Sequence, residues 1–229
     1  GYGPSSCPEY MLKNTGADVL VIGEGEETIL DVMRAKQNKG ISLSEIQSVA
    51  FMKDNKFVQN ERRKTIRYLN ELPPPAWDLF PMEKYTSCLK FAGMTEEDRA
   101  FPIISTRGCT DKCSFCFRLD SGIRIRKQEQ VISDMKELNQ VYGVNYFYFV
   151  DELAIVSKKQ ILKLLDLIIK EMPPIKFRID CRVTCFDDEV AVRLKEAGCV
   201  FLNIGFETSS QTVLDQMNKR ATIEMNVNA

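Results

Sequence analysis

The chain has 229 residues, of which 44% are hydrophobic and 28% charged, with 31 Lys and Arg against 32 Asp and Glu and no histidine. The lack of histidine excludes catalysis by an imidazole base and zinc sites of the HExxH type. The composition is typical of a globular protein, the net charge of −1 argues against an obligate nucleic-acid partner, and no apolar run reaches the ~18 residues of a membrane helix.

The first predicted elements are a strand, a turn and a helix. Residues 18–22 are a short apolar run, and Gly23-Glu-Gly25 follows as a turn. Glu26 and Glu27 favour a helix start, because carboxylates stabilise a helix N-terminus. The predicted helix has one apolar face, formed by Ile29, Leu30 and Met33.

A hairpin and a linker come next in the chain. Residues 46–59 place two apolar runs on either side of a polar turn at 53–56, which predicts a β-hairpin. Three consecutive prolines follow within Leu72-Pro-Pro-Pro-Ala76. Because proline cannot donate to a backbone ladder, this segment predicts a linker or docking arm.

From residue 101 a strand and a helix alternate four times. The predicted strands are residues 101–105, 146–150, 175–179 and 199–204. Ser157 and Asp187 are predicted N-caps of the second and third helices, and Ser209 or Ser210 of the fourth. Short connections between alternating elements imply parallel strands, and four units fall short of the eight in a complete barrel. We therefore expect an α/β fold with a partial (β/α) barrel whose chain stops before the fold is complete.

Three cysteines follow the first of these strands closely, in the sequence Cys109-Thr-Asp-Lys-Cys113-Ser-Phe-Cys116. Three thiolates on one loop indicate a metal centre, and eight cysteines without the features of a small secreted domain favour a reducing, cytoplasmic setting. Structural zinc needs four ligands, whereas a 4Fe–4S cluster with three leaves one iron open. Cys181 and Cys185 are candidates for a fourth ligand.

The cysteine segment with its preceding residues, Thr106-Arg107-Gly108-Cys109, resembles the motif of the radical S-adenosylmethionine (SAM) superfamily. The resemblance extends over Tyr148-Phe-Val-Asp151-Glu152, Arg182, Gly205-Phe-Glu207 and Met217-Asn-Lys219-Arg220. Gly23-Glu-Gly-Glu-Glu-Thr28 and the proline segment resemble the class that joins a cobalamin-binding domain to the barrel. This resemblance implies a remnant of a Rossmann-like, cobalamin-binding type of domain at 1–45, a hairpin and linker at 46–100, and a radical SAM barrel at 101–229.

The resemblance also implies cofactors and a mechanism. Cys109, Cys113 and Cys116 would bind a 4Fe–4S cluster that binds SAM and cleaves it reductively to a 5′-deoxyadenosyl radical. The radical would serve methyl transfer, cyclisation or related C–H chemistry on an unknown small molecule. An electron donor such as flavodoxin or ferredoxin is implied. Cobalamin is a further implied cofactor, although its histidine motif is absent from this chain.

Six further residues are implied contacts of SAM, and all but Glu207 have a structural alternative. Phe115 would lie against the adenine or anchor the loop. Asp151 and Glu152 would accept from the ammonium or ribose, or cap a helix. Arg182 would pair with a carboxylate of SAM or substrate, or form a surface ion pair. Glu207 would contact SAM, and Lys219 would bind the methionine carboxylate or complement a helix C-terminus.

Three functions are open at this point. The first is a radical SAM enzyme of the cobalamin-associated class, such as a methyltransferase or an oxidative cyclase. The second is a radical SAM methylthiotransferase acting on tRNA or protein, for which a second cluster-binding cysteine set is not visible. The third is a zinc-stabilised binding module without catalysis.

Overall fold

A computed structural model describes residues 1–37 and 41–229, which divide into two compact units. The first unit comprises residues 1–67 and 117–120, and the second comprises 68–116 and 121–229. Within the described residues no helix combines the length and apolar character that crossing a membrane requires.

The first unit contains a three-stranded antiparallel sheet with helices. Its elements are α1 (Tyr2–Ser6), α2 (Pro8–Thr15), β1 (Val19–Val21), α3 (Glu26–Gln37), β2 (Val49–Lys53) and β3 (Lys56–Gln59), with the strands in the order β1-β2-β3. The predicted strand, helix and hairpin are thus confirmed. Asp54 and Asn55 both have positive φ, at 49° and 58°, as in the two-residue turns that match the twist of paired strands.

The predicted apolar face of α3 is wrong in this structure. Ile29, Leu30 and Met33 are 46%, 54% and 47% exposed. The helix instead turns Val32 and Ala35 toward a small core of Ile46, Val49 and Phe51. Pairing of β1 with β2 fixes where that core lies, and helical periodicity alone did not reveal it. The Rossmann-like origin of residues 1–45 stays a prediction.

The second unit contains the predicted parallel sheet. Its elements are α4 (Met82–Ser87), β4 (Ala100–Ile103), β5 (Thr106–Cys109), β6 (Gly122–Ile125), α5 (Gln128–Tyr142), β7 (Tyr146–Phe149), α6 (Lys158–Glu171), β8 (Lys176–Cys181), α7 (Asp188–Glu196), β9 (Cys199–Ile204), α8 (Gln211–Gln216) and α9 (Ile223–Asn228). Four strands pair in parallel in the order β4-β7-β8-β9. The sheet is an open arc, as the sequence predicts.

One face of this sheet forms the main core with α5, α6 and α7. Phe147, Phe177 and Ile179 are almost fully buried against Leu164 and Leu165 of α6. The strand predicted at 146–150 is confirmed over Tyr146–Phe149, where all residues but Tyr148 are buried, whereas Val150 is 48% exposed. The proline segment leads into this core as well, because the Trp77 that follows it is 7% exposed and belongs to the same cluster.

The helix caps are confirmed in part. Ser157 accepts from the N–H of Gln160 and Asp187 from that of Val190, as predicted. Ser210 precedes α8 without a side-chain capping bond. The Gln160 side chain accepts from the N–H of Val156 and not from that of Ser157, so the reciprocal bond of a capping box is not formed at this helix start.

Strands β5 and β6 form an antiparallel ribbon that the sequence does not predict. The ribbon follows β4 directly and carries Cys109 at the end of its first strand. A side chain at Gly108 would place its Cβ 2.3 Å from the carbonyl oxygen of Gly122, and both glycines have positive φ. Only glycine lets the two strands approach this closely, and the same glycines make the segment read as a loop in the sequence.

Candidate functional site

The three clustered cysteines lie on the ribbon and the loop that continues it. Cys109 ends β5, and Cys113 and Cys116 follow on the loop, all three as free thiols. Burial raises the pKa of Cys113, and the nearby Asp111 carboxylate and the other two thiols act in the same direction, while Lys219 opposes them. The three sulfurs and the Lys219 ammonium therefore belong to one electrostatic neighbourhood. We call residues 109–116 the cysteine loop.

Asp151 fixes the base of the ribbon from the carboxyl end of β7. Its Oδ1 accepts from the N–H and the hydroxyl of Ser105, at 2.8 and 3.0 Å, and from the N–H of Thr106. The Thr106 hydroxyl donates to the carbonyl of Leu153 at 2.9 Å. The second oxygen of Asp151 is buried and has no partner. Burial raises the pKa of this carboxyl, although the Thr106 and Ser105 bonds lower it.

An ion pair between Arg126 and Asp134 holds the ribbon from the side of α5. Arg126 donates to the carbonyl of Ile104 and to the Asp134 carboxylate, both at distances below 3 Å. Asp134 lies on α5, and the two side chains are 19% and 10% exposed. The Arg126 guanidinium is therefore mostly buried at this pair.

The cysteine loop is itself held by residues beyond β8 and α8. Arg182, after β8, is paired with Asp111, whose side chain is 7% exposed, and the N–H of Asp111 points to the sulfur of Cys109 at 3.4 Å. The Ser114 N–H donates to the Met217 carbonyl at 2.9 Å. The Asn218 side chain donates to the Lys112 carbonyl at 2.8 Å.

Glu207 and Lys219 form an ion pair just beyond the carboxyl end of β9. The Lys219 side chain is 8% exposed, and Glu207 has a φ of 63°, in the left-handed region that is strained for this residue. A side chain at Gly205 would place its Cβ 2.8 Å from Glu207 Oε1 and 2.9 Å from Lys219 Nζ. Glycine at 205 therefore makes room for the pair.

The other predicted contacts of SAM lie outside the Glu207–Lys219 pair. Phe115 is 52% exposed on the cysteine loop. Glu152 is an exposed residue, and partial burial of its carboxyl group raises its pKa. Arg182 is engaged by Asp111 and so resembles the ion-pair alternative more than an open cationic site. Its role toward SAM stays a prediction.

The two candidates for a fourth ligand have other environments. Cys181 is 7% exposed, and burial raises its pKa to about 12. The Cys185 thiol points to the carbonyl of Val156 at 3.6 Å. Neither residue lies on the cysteine loop, and a fourth ligand from either of them stays a prediction.

The chemistry of the donor set fits an iron–sulfur cluster. Within the described ranges, no three Cys, Asp or Glu side chains are arranged to hold a single metal ion. A zinc site needs its ligands around one ion, whereas a cluster puts each thiolate on a different iron and so needs the sulfurs farther apart. Three thiols on one loop can each bind a different iron of one cluster.

Sequence reasoning missed Asp111, Ser105 and Asn218. Asp111 lies between two of the cysteines, so its position was a signal, but its pairing with Arg182 spans 71 residues. Ser105 and Asn218 form hydrogen bonds with residues 46 and 106 positions away, which no sequence pattern marks.

Comparison with known proteins gives one family and several relatives. Residues 103–229 match the family model described as the radical SAM superfamily. An uncharacterized methyltransferase of Pyrococcus horikoshii is 30% identical over 97% of this chain and 47% of its own length. An anaerobic magnesium-protoporphyrin IX monomethyl ester cyclase of Cereibacter sphaeroides is 28% identical over 93% of this chain and 35% of its own length.

Two solved structures share the fold. OxsB, a cobalamin-dependent SAM radical enzyme with aqua-cobalamin bound, superposes with a TM-score of 0.76 at 22% identity, covering 98% of this chain and 33% of OxsB. TsrM, a radical SAM methyltransferase of Kitasatospora setae with cobalamin and a 4Fe–4S cluster bound, gives 0.73 at 20% identity, covering 100% of this chain and 46% of TsrM. The chain thus spans less than half the length of these relatives.

Proposed function

The chain belongs to the radical SAM superfamily, and from this premise we propose that Cys109, Cys113 and Cys116 bind a 4Fe–4S cluster at which SAM is reductively cleaved. When bound, the cluster supplies the electron that splits the SAM sulfonium into methionine and a 5′-deoxyadenosyl radical. The proposed outcome is methyl transfer, cyclisation or related C–H chemistry on a small molecule, since relatives named as a methyltransferase and a cyclase both match nearly the whole chain.

One observation carries the proposal: the cysteine loop and the Glu207–Lys219 pair meet at the same end of the parallel sheet. The turn at Met217 and Asn218 bonds the loop directly and is followed by Lys219. Ligands of α/β barrels bind at the carboxyl ends of the strands. The cluster and the cation that would bind the SAM carboxylate are thus adjacent parts of one site.

Individual roles follow from the position of each side chain. Lys219 binds the methionine carboxylate, since its ammonium lies near Cys113 and already holds a carboxylate, that of Glu207. Glu207 then accepts from the ammonium or ribose of SAM. The buried, unpartnered oxygen of Asp151 is a second acceptor for such a donor. Phe115, exposed on the loop, is free to lie against the adenine.

Cobalamin stays a prediction for the whole protein. The chain has no histidine, so none of its residues fits a histidine-ligated cobalt. The proposal uses no chemistry of that cofactor. A cytoplasmic location and an electron donor such as flavodoxin or ferredoxin are likewise proposals that rest on the family.

Reconstitution without oxygen tests the function. Protein incubated with iron and sulfide should bind both, and addition of SAM and dithionite should yield 5′-deoxyadenosine. Cys113→Ser should lose nearly all of the iron because it removes one ligand, while Cys88→Ser is the matched control and should retain it. Full iron content in Cys113→Ser would refute the ligand assignment. Zinc bound in place of iron would favour the non-catalytic module.

A further inference from the structure

The turn after α8 contacts the cysteine loop on both sides of Cys113. The carbonyl of Met217 accepts from the N–H of Ser114 at 2.9 Å. The Asn218 side chain donates from Nδ2 to the carbonyl of Lys112 at 2.8 Å. The residues just before and just after Cys113 are therefore both bonded to one turn that lies about a hundred residues farther along the chain.

The turn is well suited to this task because it is fixed independently of the loop. Backbone bonds close it, from Met217 to the Val213 carbonyl at 2.9 Å and from Lys219 to the Leu214 carbonyl at 3.0 Å. Leu214 is fully buried and anchors α8 in the second unit. Asn218 has a φ of 53°, a left-handed conformation that asparagine tolerates better than most residues do.

We propose that Asn218 is a positioning residue, which sets the place of the Cys113 sulfur by holding the backbone of Lys112. The proposal rests on the proposed function to the extent that Cys113 is a cluster ligand. Its consequence is that one turn positions both a cluster ligand and Lys219, the cation proposed for the SAM carboxylate. A displacement of this turn would change the distance between cluster and SAM without altering either set of ligands.

Trypsin tests the contact without any cofactor. Lys112 is an exposed residue, so cleavage after it reports how often the loop opens. Asn218→Gly keeps the left-handed turn and removes only the side-chain donor. Loss of one hydrogen bond to a backbone carbonyl should make cleavage after Lys112 about two- to tenfold faster, with the fragments identified by mass.

Asn55→Gly is the matched control. Asn55 also has a left-handed φ, of 58°, and lies in the turn between β2 and β3 of the other unit. The same change there should leave cleavage after Lys112 as in the wild type. A purely structural role of Asn218 would lower the melting temperature and speed cleavage at many sites. A positioning role confines the increase to Lys112.

Asn218→Asp is the second variant. It keeps the shape and the left-handed preference but replaces the donor with a carboxylate oxygen that repels the Lys112 carbonyl. Cleavage should accelerate at least as much as in Asn218→Gly. Wild-type rates after Lys112 in both variants would overturn the inference.

The reconstituted protein provides the readout at the cluster. In Asn218→Gly the EPR signal of the reduced cluster should change and iron should pass to a chelator about two- to tenfold faster, while Asn55→Gly should match the wild type. Unchanged EPR and iron release would overturn the role toward Cys113. If the wild type binds no iron, the proposed function fails, and the trypsin experiment still decides whether Asn218 holds the loop.

Discussion

The two ends of the parallel sheet differ in how their polar groups are satisfied. At the amino end, Asp98 accepts from the Thr95 N–H at 2.7 Å and from Lys176 at 2.6 Å through one oxygen, and from the Asn145 amide at 3.0 Å through the other. At the carboxyl end, one oxygen of Asp151 is buried without a partner and Glu207 has a left-handed backbone.

This difference between the two ends matches the different roles that they have in α/β barrels. Buried polar groups are nearly always hydrogen-bonded, and strained or unpaired ones cluster where ligands bind. In α/β barrels the amino end serves stability, whereas the carboxyl end serves chemistry. Both oxygens of Asp98 are thus paired at the amino end, whereas one oxygen of Asp151 is left available to a donor at the carboxyl end.

The largest expected effect is at the amino end. Asp98→Ala should lower the free energy of unfolding by about 3–5 kcal/mol, because it leaves Lys176 and the Asn145 amide without their acceptor in a region where Asp98 is 6% exposed. Urea denaturation measures it. Glu129→Ala removes the exposed pair with Lys163 and should change stability by less than about 1 kcal/mol. Equal losses in the two variants would contradict the comparison.

A smaller effect of another kind is expected at the carboxyl end. Lys219→Gln should weaken SAM binding to the reconstituted protein about 10- to 100-fold, because it removes a charged hydrogen bond to the carboxylate. Anaerobic calorimetry measures the affinity. Urea denaturation should show a loss of stability as well, because Lys219 is 8% exposed and pairs with Glu207. Lys136→Gln, which removes the exposed pair with Glu171, should leave SAM binding unaltered. Undiminished SAM affinity in Lys219→Gln would remove Lys219 from the site.

The smallest expected effect is a pH dependence of opposite sign at the two ends. Burial alone would raise the pKa of Asp98, but hydrogen bonds from Lys176 and Thr95 outweigh it and lower that pKa. Its contribution to stability is therefore present above the ordinary carboxyl pKa and lost as the pH falls. Burial raises the pKa of Asp151, so its contribution is present at low pH and lost as the pH rises through that raised value.

Melting temperatures measured between about pH 4 and pH 8 test whether the two carboxyl groups have this opposite pH dependence. Asp98→Asn should destabilise the protein more at the high end of this range than at the low end. Asp151→Asn should be relatively more favourable at the high end, because the amide avoids burying a charge. The same trend in both variants would show that the two carboxyl groups do not differ as described.

The elements that depend on local pattern were predictable. The aromatic strand at Tyr146–Phe149 and the caps at Ser157 and Asp187 are coded by neighbouring residues, and the structure confirms them. The ribbon was not predictable, since Gly108 and Gly122 carry no strand preference and Asp151 holds its base from 45 residues away. The buried face of α3 was also not predictable from the sequence, because it depends on the sheet against which the helix packs.

Some features of the candidate site could likewise be predicted from the sequence, and others could not. The spacing of the cysteines and the order of Glu207 and Lys219 are readable along the chain, and the structure brings Lys219 close to Cys113. For Arg182 the sequence left open a carboxylate of SAM or substrate or a surface ion pair, and the fold pairs it with Asp111. A partner that the fold supplies from a distant loop cannot be read from the sequence around an arginine.

Among the residues that the structure describes, β9 pairs with β8 only, so one row of its peptide groups has no strand beside it. Such a row is a template for ladder extension by any extended peptide.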